Sequence, residues 1–273
     1  MKRHKVLTKL FGKKKADVVM SFEKTKHKLH PYLGYAPEKL MYGTETAGIA
    51  IFGSSTAWGV GASHYAKTIS GRLQAPCFAV HGYVAQQNAI QLLLHRGEIH
   101  TAVFINGVNE ALGGILGDPQ GYPLQFDHQV RGRWQRRWRP RKRGQRRPAP
   151  FAALAASDSL AAGWRHALMI CETRGINFLP VVQPVLHDKK FRTSLEQELL
   201  DQDMVNFPEF LEVYNEIQRM SKGFNALDMA TIYNRDKHHI FLDSCHVTDD
   251  GYEMMAALIA QRFDAPAAAA FGR

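Results

Sequence analysis

From residue 48 to residue 263, short apolar runs alternate with stretches of helical spacing. Residues 48–52, Gly-Ile-Ala-Ile-Phe, predict a buried strand that stops at Gly53, and residues 77–80, Cys-Phe-Ala-Val, predict a second that stops at Gly82. Residues 63–73 between them have helical spacing. Residues 85–96 predict a helix with Gly97 past its end, followed by a third strand at residues 101–105. Ser157 or Asp158 is a suitable cap for a helix running to Arg174, which Gly175 ends before a fourth strand at residues 177–182. Residues 208–222 place Phe210, Leu211, Tyr214 and Ile217 on one helical face, residues 226–230 form a short fifth strand, and a last helix runs from about Thr248 to Phe263.

Strands that alternate with helices require a mostly parallel sheet covered on both faces, so the expected fold class is α/β, a three-layer α/β/α sandwich around five strands. Ligands in such sheets bind beyond the carboxyl ends of the strands. Polar residues stand at those ends: Ser54 and Ser55 after the first strand, Gly82 after the second, and residues 106–109 after the third. The domain expected at residues 47–264 is preceded by a basic extension (1–46), interrupted by a basic insertion at about 112–150, and followed by an Ala-rich tail (265–273).

A nucleophilic serine needs a base, a partner that holds the base, and donors for the oxyanion. Gly53-Ser-Ser-Thr-Ala-Trp-Gly59 follows the first strand and lets the backbone turn sharply enough to present a serine at the sheet edge. It is not a Gly-x-Ser-x-Gly elbow, because position 57 is Ala. By itself, a Ser-Ser-Thr after glycine more often marks a turn or a helix cap. Asp243-Ser-Cys-His246 is the second candidate: one short loop presents a carboxylate and an imidazole, the carboxylate fixing the tautomer. That segment alone is equally a capped helix start.

Taken together, Gly53-Ser54-Ser55 ahead of Gly59, then Gly82, then Gly107-Val-Asn109-Glu110, then Asp243-x-x-His246 occur in an order that resembles the blocks of the SGNH (GDSL-type) hydrolase superfamily. The resemblance spans about residues 48–263. It implies a flavodoxin-like sheet and a serine esterase whose triad is Ser55, Asp243 and His246. It further implies an oxyanion held by the N–H groups of Ser55 and Gly82 and the side-chain amide of Asn109, with no cofactor and no metal. Two positions depart from the family pattern: Ser54 replaces an Asp, leaving Ser54 as a second candidate nucleophile, and Glu110 replaces an Asp. The implied reaction is acyl transfer from an ester, such as an O-acetyl carbohydrate or a lipid-like ester, to water. Transfer to an alcohol by an O-acyltransferase on the same site remains open.

Composition changes the picture in two places. The net charge of +10 on 273 residues is concentrated: residues 131–147, from Arg131 to Arg147, hold ten Lys or Arg and no acid, and the first fifteen residues hold seven more. Without these seventeen, 18 basic groups stand against 25 acidic ones. The 131–147 arm, with Trp134 and Trp138 between its cations, suits an anionic phospholipid surface, an acidic glycan or single-stranded nucleic acid. The N-terminal segment can place Val6, Leu7, Leu10 and Phe11 on one face of a basic helix, as a membrane-surface segment does. A protein without catalysis that binds membrane or nucleic acid through these segments is the competing reading.

No run approaches the roughly 18 apolar residues of a membrane span, and the N-terminus lacks the apolar core of a secretory signal, so a cytoplasmic location, peripheral to a membrane at most, is expected. Cys77, Cys171 and Cys245 have neither disulfide-framework nor zinc spacing. Cys245 lies beside the candidate base with nothing marking it as a thiolate. His238 and His239 have no evident third ligand, and the glycines of residues 107–117 lack the Gly-Lys-Ser/Thr ending of a phosphate loop.

Overall fold

The computed structural model describes residues 27–30, 34–37, 47–116 and 148–264. The first two segments, β1 (His27–His30) and β2 (Gly34–Pro37), pair antiparallel with His30 opposite Gly34. The main sheet is built from β3 (Ala47–Gly53), β4 (Ile99–Asn106), β5 (Asn177–Val182) and β6 (Leu227–Asp228), in that order and all parallel. Gly53 stands opposite Ile105, and Asn106 opposite Val182.

Among the described residues the sheet has four strands, where the sequence predicts five. The run at residues 77–80 follows the outer edge of β3: Ile51 N–H donates to Pro76 O (3.0 Å), and Phe78 and Val80 donate to Ile51 O and Gly53 O (2.8 and 3.1 Å). It pairs on one side only and forms a single bridge, Ile51 to Cys77, in place of the predicted strand. Its apolar side chains report burial, which an edge segment under a helix shares with a central strand.

Alternation along the strands divides the core in two. Ala50, Phe52, Ala102, Phe104 and Val182 face the layer of α3 (Ala85–Leu94), α4 (Val108–Leu116), α5 (Ala149–Arg174) and α7 (Phe210–Ser221). Ile51, Val103, Ile105 and Val181 face α1 (Ser55–Trp58), α2 (Ile69–Arg72), α6 (Ser194–Asn206) and α8 (Asp249–Asp264). Both sheet faces are therefore covered, which is why β3 carries no polar side chain and the polar residues of β4 and β5 stand at the strand ends.

Two helices depart from the predicted boundaries, and a third, α6, is not predicted. Residues 63–73 break into a 3₁₀ turn (Tyr65–Lys67) and α2, because Thr68 interrupts them with its hydroxyl accepting from Gly71 N–H. Helix α5 begins at Ala149, ahead of Ser157: its first residues are mostly Ala, the strongest helix former, and the Ser157 hydroxyl bonds Leu154 O within the helix. Helix α6 has little amphipathic period, and its sequence mark is the capping pair Thr193 and Glu196: Thr193 Oγ1 accepts from Glu196 N–H and Glu196 Oε2 from Thr193 N–H.

Glu196 has a second role. Its side chain and that of Lys189 are fully buried, with Lys189 Nζ at 2.7 and 2.8 Å from the two carboxylate oxygens. Lys189 also donates to His238 O, and Glu196 accepts from Ile240 and Phe241 N–H. The pair thus anchors the segment that leads to Asp243. Burial alone would raise the Glu196 carboxyl, but Lys189 and the N–H groups of Phe241, Thr193 and Ile240 outweigh it and hold the carboxyl below its ordinary value.

Removing one partner strands a buried charge, so Lys189→Met is expected to cost about 3–5 kcal/mol of unfolding free energy in urea titrations. Because the folded Glu196 value is lowered, this stabilisation is complete above the ordinary carboxylate value of about 4.3 and is lost as pH falls through the folded value. Acid titration of stability is therefore expected to be steeper in the wild type than in Glu196→Gln.

Candidate functional site

The chain runs from β3 outward to the edge run at residues 77–80 and then back across β3 to β4. Strand order reverses there, and such a reversal opens a crevice at the carboxyl ends. Gly53 ends β3 at φ +152°, where an added Cβ would lie 2.5 Å from Ile105 O and 2.6 Å from Ala57 Cβ. Only glycine lets the chain turn this closely against the end of β4 and start α1 at Ser55. Gly107, at φ +127°, makes the matching turn after β4, with Tyr214 Oη 2.9 Å from where its Cβ would be.

Ser55 is the first residue of α1, so its N–H has no acceptor within the helix. Asp243 closes its own turn: Oδ1 accepts from the N–H groups of Cys245 and His246 at 3.0 and 2.8 Å. This curls the loop so that His246 Nδ1 lies 2.6 Å from Asp243 Oδ2, and Nε2 lies 2.7 Å from Ser55 Oγ. An ionised carboxylate only accepts, which puts the ring proton on Nδ1 and leaves Nε2 to accept from the serine hydroxyl. Bonds between Leu242 N–H and His246 O and between Thr248 N–H and Ile240 O, both 2.8 Å, pin the two ends of the loop.

The imidazole faces Ser55. Ser54 is 3% exposed, and its carbonyl accepts from Trp58 N–H at the start of α1. Gly82 sits at φ +76° in the turn between the edge run and α3. Asn109, the second residue of α4, donates from Nδ2 to Tyr83 O at 2.9 Å, which brings the α4 start against the Gly82 turn. Asp243, Cys245 and His246 offer ligand-type atoms within 4.8 Å of one another. They share one turn, and a metal there would have to displace the Nδ1 proton and compete with two backbone N–H groups for Asp243 Oδ1. His238 is exposed while the His239 ring bonds Thr193 Oγ1 at 3.0 Å, so the adjacent histidines do not share a site.

Sequence reasoning missed the buried polar chain beneath these groups. Asn88 Nδ2 donates to Gly53 O (3.1 Å), Asn106 Nδ2 to Asn88 Oδ1 (2.9 Å), and Trp164 Nε1 to Asn106 Oδ1 (3.2 Å). Gln183 continues it: its N–H donates to Asn106 O, its carbonyl accepts from Tyr214 Oη, and its Nε2 donates to Thr56 Oγ1 at 3.0 Å. Thr56 in turn donates to Cys245 O at 3.3 Å, which joins the residue after Ser55 to the residue before His246. Burial pushes the Tyr214 phenol well above its ordinary range, so it remains a donor. The available signal was the amide residue that follows each apolar strand run, Asn106 as the last residue of β4 and Gln183 directly after β5.

The 131–147 arm and the N-terminal basic segment lie outside the described residues. Among the described residues no helix is long and apolar enough to cross a membrane.

No family model matches the chain, and no curated protein matches it. Solved structures to which it is similar include phospholipase A1 from Streptomyces albidoflavus (14% identity, 80% of this chain and 99% of that one, TM-score 0.47) and an extracellular lipase from Streptomyces rimosus (13%, 79% and 99%, 0.46). A GDSL-like lipase from Bacteroides thetaiotaomicron is similar at 11% identity over 83% of this chain and 89% of that one, with a TM-score of 0.42.

Thr56→Val keeps the shape of the side chain but leaves Gln183 Nε2 without an acceptor. It is expected to lower unfolding free energy by about 1–3 kcal/mol, with Thr56→Ser restoring most of the loss, as read by chemical denaturation.

Proposed function

We propose that this chain is a carboxylic ester hydrolase in which Ser55 is the nucleophile, His246 the general base and Asp243 the residue that orients and stabilises the imidazole. The observation that carries this reading is the continuous chain of contacts from Asp243 Oδ2 through His246 to Ser55 Oγ, at 2.6 and 2.7 Å, assembled from segments almost two hundred residues apart. Geometry of this kind is what makes a serine hydroxyl reactive, because the proton has a destination and the resulting imidazolium has a counter-charge.

Ser55 Oγ attacks the ester carbonyl as its proton passes to His246 Nε2. The tetrahedral oxyanion accepts from the N–H groups of Ser55 and Gly82 and from the Asn109 amide. Collapse expels the alcohol, which takes the proton from His246, and leaves an acyl group on Ser55. Water, deprotonated by the same imidazole, releases the acid. O-acetyl carbohydrates and lipid-like esters are the substrate classes, and an alcohol in place of water turns the second half into acyl transfer.

The Arg-rich arm and the N-terminal segment extend the proposal: they bring the enzyme to an anionic surface, and the reduced Cys77, Cys171 and Cys245 suit a cytoplasmic setting. Co-sedimentation with vesicles is expected to increase with anionic lipid content and to fall with added salt. Equal binding to neutral vesicles would remove the electrostatic part.

The direct test uses the full chain with short- and medium-chain p-nitrophenyl esters and a fluorophosphonate probe. Turnover and labelling are both expected in the wild type and both absent in Ser55→Ala; a folded wild type that does neither would overturn the reading. Asn109→Ala is expected to lower turnover by about 10²–10³.

A further inference from the structure

Glu110 is the residue that departs from the family pattern after Asn109, and its surroundings give it work of its own. Its side chain is buried, 2% exposed, and its two oxygens are divided between two helices. Oε1 accepts from Ala85 N–H at 2.6 Å, and Ala85 is the first residue of α3. Oε2 accepts from Gly107 N–H at 2.9 Å, the residue directly before α4.

The second contact is the reach-back of a capping box, in which a Glu in the first turn satisfies the N–H just ahead of its own helix. The first contact satisfies an orphan N–H of a different helix. One carboxylate thus caps α3 and α4 together, at the point where their positive ends converge.

These two helix starts carry the proposed oxyanion donors that lie outside α1. Gly82 stands three residues before Ala85, in the turn that feeds α3, and Asn109 is the second residue of α4. Asn109 Nδ2 already bonds Tyr83 O across the gap, and the Glu110 carboxylate lies beside that contact as a second strut. Resting on the ester-hydrolase reading above, we propose that Glu110 is a positioning residue: it sets the distance between the Gly82 N–H and the Asn109 amide, and so the fit of the oxyanion pocket to the tetrahedral intermediate.

Reach favours Glu over Asp here. A side chain one carbon longer can leave one oxygen on its own helix cap while the other crosses to Ala85 N–H. Burial pushes the carboxyl up, opposed by the N–H groups of Ala85, Glu110 itself and Gly107, so the group is held by backbone donors and not by a cation.

A residue that acts through the oxyanion donors differs from one that only supports the fold in its coupling to Asn109. The experiment is a double-mutant cycle on p-nitrophenyl ester turnover with wild type, Glu110→Gln, Asn109→Ala and the double variant, each checked for folding by circular dichroism. Gln keeps one acceptor and presents an NH₂ group to the other N–H. Glu110→Gln is expected to lower kcat by about 10-fold or more with KM within about 3-fold, and to lower it by less than about 3-fold further in the Asn109→Ala background.

A kcat within about 2-fold of wild type, or a loss of equal size in both backgrounds, would overturn the proposal while Ser55 labelling keeps the hydrolase reading intact. Should Glu110→Gln fail to fold, Glu110→Asp, which withdraws the carboxylate by one carbon, is read in the same cycle against the same two outcomes. A wild type that neither turns over nor labels removes the hydrolase reading and this inference with it.

Discussion

Parallel pairing of β3 with β4, in a register that places Gly53 opposite Ile105, sets the position of everything else in the candidate site. Two strands that end level put two loops side by side at one sheet edge. Both loops must turn at once, because the end of each strand is crowded by the other's backbone or by Tyr214, and glycine is the residue that turns under those conditions. Ser55 and Asn109 follow within two residues of those turns, so the strand register brings a hydroxyl and an amide to the same crevice before any side chain contact is considered.

The crevice floor is polar where an α/β core is ordinarily apolar. Asn88, Asn106, Gln183, Thr56, Trp164 and Tyr214 are bonded to one another or to the strand-end carbonyls, and each bond joins two different segments of the chain. A buried polar network of this kind is costly when incomplete, so it enforces one arrangement of the strand ends. The rigidity of the loops above is set from below, by donors and acceptors that do not themselves face solvent.

The last part of the site arrives from the C-terminal third of the chain. Lys189 and Glu196 hold residues 238–241, the antiparallel bridge between Phe241 and Val247 closes the loop, and Asp243 folds it onto its own amides. Thr56 then joins the loop to the start of α1 through Cys245 O. Four attachments hold His246 against Ser55, so the 2.7 Å contact does not rely on the side chains alone. A single side chain, Glu110, plays the corresponding part for the two helices on the other side of the crevice.

Local pattern was enough for the parts of this protein that depend on local physics. Apolar runs marked β3, β4 and β5 to within two residues, Gly175 marked the end of α5 at φ +66°, and the three-residue interval from Asp243 to His246 marked a loop that can pair carboxylate with imidazole. Periodicity misjudged the run at residues 77–80, since an edge segment and a central strand bury the same side chains and differ only in how many neighbours share their backbone. It also placed the α5 start too late, where Ala propensity overrode a plausible cap.

What the sequence by itself determined was the α/β class, the parallel sheet and the residue types available at each strand end, because these follow from burial and backbone preference over a few neighbouring positions. Tertiary structure alone decided that Ser55, and not Ser54, faces His246, that Glu110 divides its oxygens between two helices, and that Thr56 and Gln183 connect the loops. Those contacts join residues up to 191 positions apart, and no short-range pattern records which distant partner a buried hydrogen-bonding group will meet.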